Sequence, residues 1–208
     1  DKTAESGDLH RNKLRYLESL VNGGVLVRKT ALLIIDMIND FQFTHGKILA
    51  KKTMEMIPNI LDLKKCMNEH QLPIIYVNDH YDLWQADYTK IIEKCTNNIS
   101  KDVIESITPN KDDFFLIKPK HSAFYDTPLH TMLLHLNVTD VILTGIAGNI
   151  CVLFTANDAY MRDFSLTIPS DAIASNNDED NLFAITMMEN VLKANVSVTN
   201  EIIKNLPS

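Results

Sequence analysis

A three-layer α/β domain, with a central and mostly parallel sheet covered by helices on both faces, is predicted by three features of this 208-residue chain. Short, continuous apolar runs recur along it, and a strand buried on both faces reads as such a run. Between them lie longer stretches with apolar residues at helical spacing, and strands alternating with helices build a parallel sheet. No internal repeat, low-complexity tract or linker breaks the alternation, and the length suffices for one sizeable core.

The elements follow in order. Residues 1–8 read as a disordered start. Residues 9–22 place Leu9, Leu14, Leu17 and Leu20 at helical spacing, and Gly23-Gly24 ends that helix. Residues 1–29 therefore read as an extension with an appended packing or oligomer helix, and 30–208 as the domain. T-A-L-L-I-I-D (30–36) is the first strand. A helix covers roughly 50–70, a strand 73–78, and helical stretches 84–95 and 99–107. A third strand spans 113–118. A short helix over 128–136 is opened by Pro128, a residue suited to a first helical turn. A fourth strand spans 140–145, and a helix carrying Cys151 runs to about 162. A fifth strand covers 165–169. Residues 178–194 form a helix whose first turn (Asp178, Glu179, Asp180) complements the helix dipole. A sixth strand, V-S-V (196–198), precedes a terminal helical turn. Met187-Met188, with Leu182 and Val191, read as core or subunit interface.

Composition narrows the function. A hydrophobic content of 45% and a charged content of 23% are those of an ordinary globular protein. The net charge of −7 argues against a nucleic-acid or anionic-membrane surface. No apolar run approaches the roughly 18 residues of a membrane span. Three widely spaced cysteines make neither a disulfide framework nor a zinc motif, so a reducing, cytoplasmic location is expected. No cofactor is expected.

Chemistry concentrates at strand ends. In an open parallel sheet, ligands bind beyond the carboxyl ends of the strands. The first strand ends in Asp36 and the third in Lys118, and the fourth leads through a turn with Gly145 and Gly148 to Cys151 at the opening of an apolar helix. A helix N-terminus lowers a thiol pKa, so an activated nucleophile is expected. A nearby carboxylate serves as general base, a lysine favours developing negative charge, and backbone N–H groups of the turn form an oxyanion hole. Each residue taken singly reads more readily as structural. The coincidence of the three favours catalysis.

The segments A-L-L-I-I-D-M-I-N-D-F (31–41), I-K-P-K-H-S-A-F-Y-D-T-P-L (117–129) and L-T-G-I-A-G-N-I-C-V-L-F-T-A-N-D-A-Y-M-R-D-F (143–164) resemble the isochorismatase-like cysteine hydrolases over residues 30–200. This group includes nicotinamidases, N-carbamoylsarcosine amidase and isochorismatases. The resemblance implies a Rossmann-like α/β fold and a catalytic set of Asp36, Lys118 (with Lys120 as its rival) and Cys151. It also implies a cis peptide between Ile146 and Ala147, with Ala147 and Cys151 N–H groups at the oxyanion. A small-molecule substrate and a homodimer or homotetramer follow from the same likeness. Three departures bear on function. Asp79-His80-Tyr81 breaks the Asp-x-His metal pattern of nicotinamidases, so no metal is expected. Cys151 stands where siderophore- and phenazine-type isochorismatases tend to carry Gly, which favours acyl chemistry on a small amide or carbamoyl C–N bond. Gly148 stands where many members have Thr. Phe41, and His80, Tyr81 and Trp84 in the loop after the second strand, sit where they would overhang the site as substrate walls. An isochorismatase-type vinyl-ether hydrolase using Asp36 as acid, and a non-catalytic thiol-sensing or binding protein, are the alternative readings.

Overall fold

The computed structural model describes residues 28–206. The extension helix expected at 9–22 lies outside the described residues. Six strands form one sheet: β1 (Thr30–Ile35), β2 (Ile74–Asp79), β3 (Phe114–Lys118), β4 (Asp140–Ile146), β5 (Ser165–Thr167) and β6 (Ile173–Ala174). The order is β3-β2-β1-β4-β5, every pairing is parallel, and β6 adds to β4 beyond the end of β5. The helices are α1 (Gly46–Glu69), α2 (Tyr88–Cys95), α3 (Lys101–Ile107), α4 (Leu129–His135), α5 (Leu153–Tyr160), α6 (Asp178–Asn190) and α7 (Thr199–Asn205).

β1 explains the layering. All six of its residues are buried, because side chains alternate between two covered faces. Leu33 and Ile35 join Val141, Leu143, Ala156, Ala184 and Met188 on the side of α4, α5 and α6. Leu32 and Ile34 join Met56, Ile60, Leu63, Val103 and Ile202 on the side of α1, α3 and α7. A third cluster, around Ile38, Ile91, Cys95 and Ile104, packs α2 beside the carboxyl ends of the strands. Each buried aliphatic side chain contributes about 1.5–3 kcal/mol. No helix among the described residues is long and apolar enough to cross a membrane.

Three differences from the sequence reading have local causes. The expected strand at 196–198 does not form; Asn195 makes one isolated bridge to Thr167, and Val198 is exposed. The sixth strand is instead β6, only two residues long. The helix expected over 178–194 ends at Asn190, and of the residues read as core or interface Met188 is buried while Leu182, Met187 and Val191 are exposed. The segment bearing Cys151 begins as a π-helical turn, Gly148–Val152, before α5 continues it.

Candidate active site

The strand order reverses between β1 and β4, the position where open α/β sheets hold their ligands. Asp36 leaves β1 on one side of that switch point and the Cys151 turn leaves β4 on the other. The two strands approach closely at Gly145, whose φ is +112° and where a Cβ would lie 2.1 Å from the Ile35 carbonyl oxygen. Only glycine meets both conditions.

Asp36 has a positive φ of 52° and is 6% exposed. Its Oδ1 accepts the Asp79 backbone N–H at 2.8 Å, and its own N–H donates to the Val77 carbonyl. Lys118, 2% exposed, pairs in register with Asp79. Its side chain therefore starts beside the group that holds Asp36. The Lys118 Nζ reaches Asp36 Oδ2 at 2.7 Å, Cys151 Sγ at 3.6 Å and the Lys120 carbonyl at 3.1 Å. Lys120 itself is exposed.

The turn that carries the thiol is tied on several sides. The Ile146–Ala147 peptide is cis. The Ala147 carbonyl accepts the N–H groups of Ile150 and Val152. Thr155, fully buried, donates to the Cys151 carbonyl at 2.6 Å and accepts the Ala123 N–H at 2.9 Å, joining the Lys118 loop to the Cys151 segment. Asn78, also buried, spans the Ile38 N–H and carbonyl with its side-chain amide and closes the loop after Asp36. Neither Asn78 nor Thr155 stood out in the sequence, because hydrogen bonds to a distant backbone leave no local pattern.

The electrostatics correct one expectation. The thiol is not acidified in the resting site: burial, followed by the Asp36 charge, pushes it up to about 12, against the opposing pull of Lys118. Burial, together with a carboxylate as neighbour, overrides the helix-terminus effect. Burial also raises the Asp36 carboxyl above the ordinary aspartate value, although Lys118 opposes it. Burial works against the Lys118 charge, but Asp36 and Cys151 together hold its pKa above the usual lysine value.

The expected substrate walls separate. His80 and Trp84 stack at 3.8 Å between ring centroids, and Trp84 is 64% exposed. Phe41 is 1% exposed and packs in the apolar cluster beneath α1, so it presents no comparable open face. The Tyr81 ring packs against the α2 cluster with Cys95 and Ile91. Among the described residues, no group of three or more His, Cys, Asp or Glu side chains is arranged to hold a metal ion.

The chain as a whole is similar to known proteins. The isochorismatase domain model matches residues 30–201. The uncharacterized isochorismatase family protein YaaI of Bacillus subtilis (strain 168) is 62% identical over 174 residues, covering 84% of this chain and 96% of that protein. Enterobactin synthase component B of Escherichia coli (strain K12) is 28% identical over 192 residues, covering 87% of this chain and 62% of that protein. Among solved structures, N-carbamoylsarcosine amidase from Thermoplasma acidophilum superposes with a TM-score of 0.64 at 26% identity, covering 83% of this chain and 97% of the other. With a domain match over most of its length and a sheet that carries the matched segments to one edge, the chain belongs to the isochorismatase family of hydrolases.

Proposed function

We propose that the protein is a metal-independent cysteine hydrolase that cleaves a small amide or carbamoyl C–N bond through a thioester on Cys151. The observation that carries this reading is the position of Lys118, whose ammonium touches both the Asp36 carboxylate and the Cys151 sulfur. Because the resting thiol holds its proton, attack requires a base. Asp36, with its proton affinity raised by burial, takes that proton as sulfur bonds to the substrate carbonyl carbon. The carbonyl oxygen becomes an oxyanion that accepts the Ala147 and Cys151 N–H groups; one such donor is typically worth about 2.7–4 kcal/mol of barrier. Collapse breaks the C–N bond, Asp36 protonates the departing nitrogen, and a thioester remains. Asp36 then takes a proton from water, the resulting hydroxide attacks the thioester carbonyl, and the C–S bond breaks as Asp36 returns that proton to the sulfur, releasing the acid and restoring the thiol. Lys118 offsets the negative charge throughout, and the His80–Trp84 stack supplies a substrate wall. The structural likeness to N-carbamoylsarcosine amidase supports this substrate class. The exposed apolar residues of α6 (Leu182, Phe183, Met187), with Val191 just beyond its end, support assembly as a homodimer or homotetramer.

A second reading draws on the raised Asp36 pKa, which also suits an acid that protonates a vinyl ether while Cys151 stands by. Intact-protein mass spectrometry during turnover of amide, carbamoyl and vinyl-ether panels separates the two. An acyl adduct on Cys151, absent in Cys151→Ala, is the expected result. Undiminished turnover by Cys151→Ala would overturn the thioester mechanism in favour of the vinyl-ether one.

A further inference from the structure

The turn before Cys151 is held from its far side by two residues outside the catalytic set. β5 pairs with the first half of β4, and β6 takes over the same edge at Gly145 and Ile146. The residue that follows β6, Ser175, is thereby delivered beside the turn. Its hydroxyl accepts the Asn149 N–H at 3.0 Å and donates to Asn181 Oδ1 at 2.7 Å. Asn181 lies near the start of α6, a helix capped by the Asn177 side chain, which accepts the Glu179 and Asp180 N–H groups. Asn149 is two residues before Cys151. Its N–H belongs to the opening of a helical segment, where backbone donors lack intrahelical partners.

Gly148 is the steric complement of this relay. A Cβ there would lie 2.2 Å from Asn181 Oδ1 and 3.2 Å from both Ser175 Oγ and Ile173 Cδ1. Gly148 does not carry the positive φ that would demand glycine, so space is the reason for it. The crowded atom ends a side chain that can swing away, so a methyl at 148 displaces Asn181 from Ser175 rather than breaking the fold.

We propose that Ser175 and Asn181 are positioning residues that fix the Cys151 turn against Asp36 and Lys118, with Gly148 leaving the space they occupy. The geometry has two independent anchors. Asp36 and Lys118 approach the thiol from β1 and β3, whereas Ser175 and Asn181 hold the turn from β6 and α6. With only the first anchor, the thiol and the turn N–H groups lose their common orientation. The role in catalysis rests on Cys151 being the nucleophile; the relay itself does not.

Two measurements on the full chain test this. Amide hydrogen exchange by NMR reads the Asn149 N–H, and iodoacetamide labelling across pH, read by peptide mass spectrometry, reports the environment of Cys151. In Ser175→Ala, which removes the acceptor, Asn149 is expected to exchange about 2–12-fold faster, the factor corresponding to loss of one ordinary hydrogen bond; Asn181→Leu and Gly148→Ala, which release the Ser175 hydroxyl from its anchor, are expected to speed it by a smaller factor. The Cys151 labelling profile is expected to move along the pH axis. Asn181→Asp keeps the acceptor and is expected to leave Asn149 exchange at the wild-type rate. A purely structural role would lower the melting temperature and leave the profile in place. Labelling profiles that superimpose on wild type in all three disrupting variants, or unchanged Asn149 exchange, overturn the proposal. Absence of any acyl adduct on Cys151 would instead remove the nucleophile reading, leaving the relay to be judged by Asn149 exchange.

Discussion

The Lys118 ammonium lies 2.7 Å from the Asp36 carboxylate, and both side chains are almost wholly buried. Two desolvated charges of this kind attract strongly, yet their joint removal from water is costly. Lys118→Met leaves a buried carboxylate without its partner and is expected to lower stability by about 3–5 kcal/mol. The double variant Asp36→Asn/Lys118→Met removes both charges and is expected to be far closer to wild type, while inactive. Urea unfolding of the single and double variants measures this, and simple additivity of the two single losses would contradict it. The alkaline limb gives a further sign. Because the folded Lys118 pKa is raised, its contribution is complete below the ordinary lysine value and is lost as pH rises through the raised one. Lys118→Met is expected to flatten that limb.

Asp36 and Lys118 act on the thiol in opposite directions. The carboxylate raises the Cys151 pKa and the ammonium lowers it. Asp36→Asn is therefore expected to shift alkylation of Cys151 to lower pH while abolishing turnover, since the base is gone. Lys118→Met is expected to shift it higher. Labelling rate against pH in the three proteins checks both signs. Movement of both variants in one direction would contradict the assigned neighbours.

The two faces of the sheet were legible in the sequence because Leu32 to Ile35 and Val141 to Leu143 are apolar without interruption, as strands covered on both sides tend to be. The strand ends Asp36 and Lys118 were legible for the same reason: each is the first charged residue after such a run. β6 was not, because Ile173-Ala174 is too short for any period to show. V-S-V at 196–198 alternates like a strand, but only Asn195, just before it, bridges the sheet, and it does so at Thr167, where β5 ends. The π-helical turn depends on hydrogen bonds to Ala147, which side-chain pattern does not encode. The partner of Gly148, Asn181, lies 33 positions along the chain (181 − 148), and only the folded sheet brings the two together. The acidity expected of Cys151 failed because burial and a facing carboxylate are likewise properties of the fold.

Burial raises the Asp36 carboxyl above its ordinary value of 3.8, and this sets the acid side of the reaction. A base that must be ionised is lost when protonated, so kcat/KM for an amide substrate is expected to fall at a pH above the ordinary aspartate value. For vinyl-ether protonation the same group must carry its proton, and the limb has the opposite sense, with activity falling as pH rises through the raised value. The pH profile of kcat/KM thus reads the role of Asp36 without any substitution.

Trp84 is 64% exposed, with a positive φ of 51°, and its ring lies on His80. Nothing in the core depends on it, so Trp84→Ala is expected to change stability by no more than about 0.5 kcal/mol. The stack does have a local hold: the His80 Nδ1 accepts the Asp82 N–H at 2.9 Å, which fixes the ring orientation that Trp84 covers. As a substrate wall, the indole contributes to binding in the ground and transition states alike, and its loss is expected to raise KM while leaving kcat nearly unchanged. Steady-state kinetics of Trp84→Ala and Trp84→Phe on whichever substrate the panel identifies tests this. Phe keeps a stacking face and is expected to recover much of the affinity. A fall in kcat at constant KM would place Trp84 with the groups that organise the chemistry, and unchanged kinetics would remove it from the site.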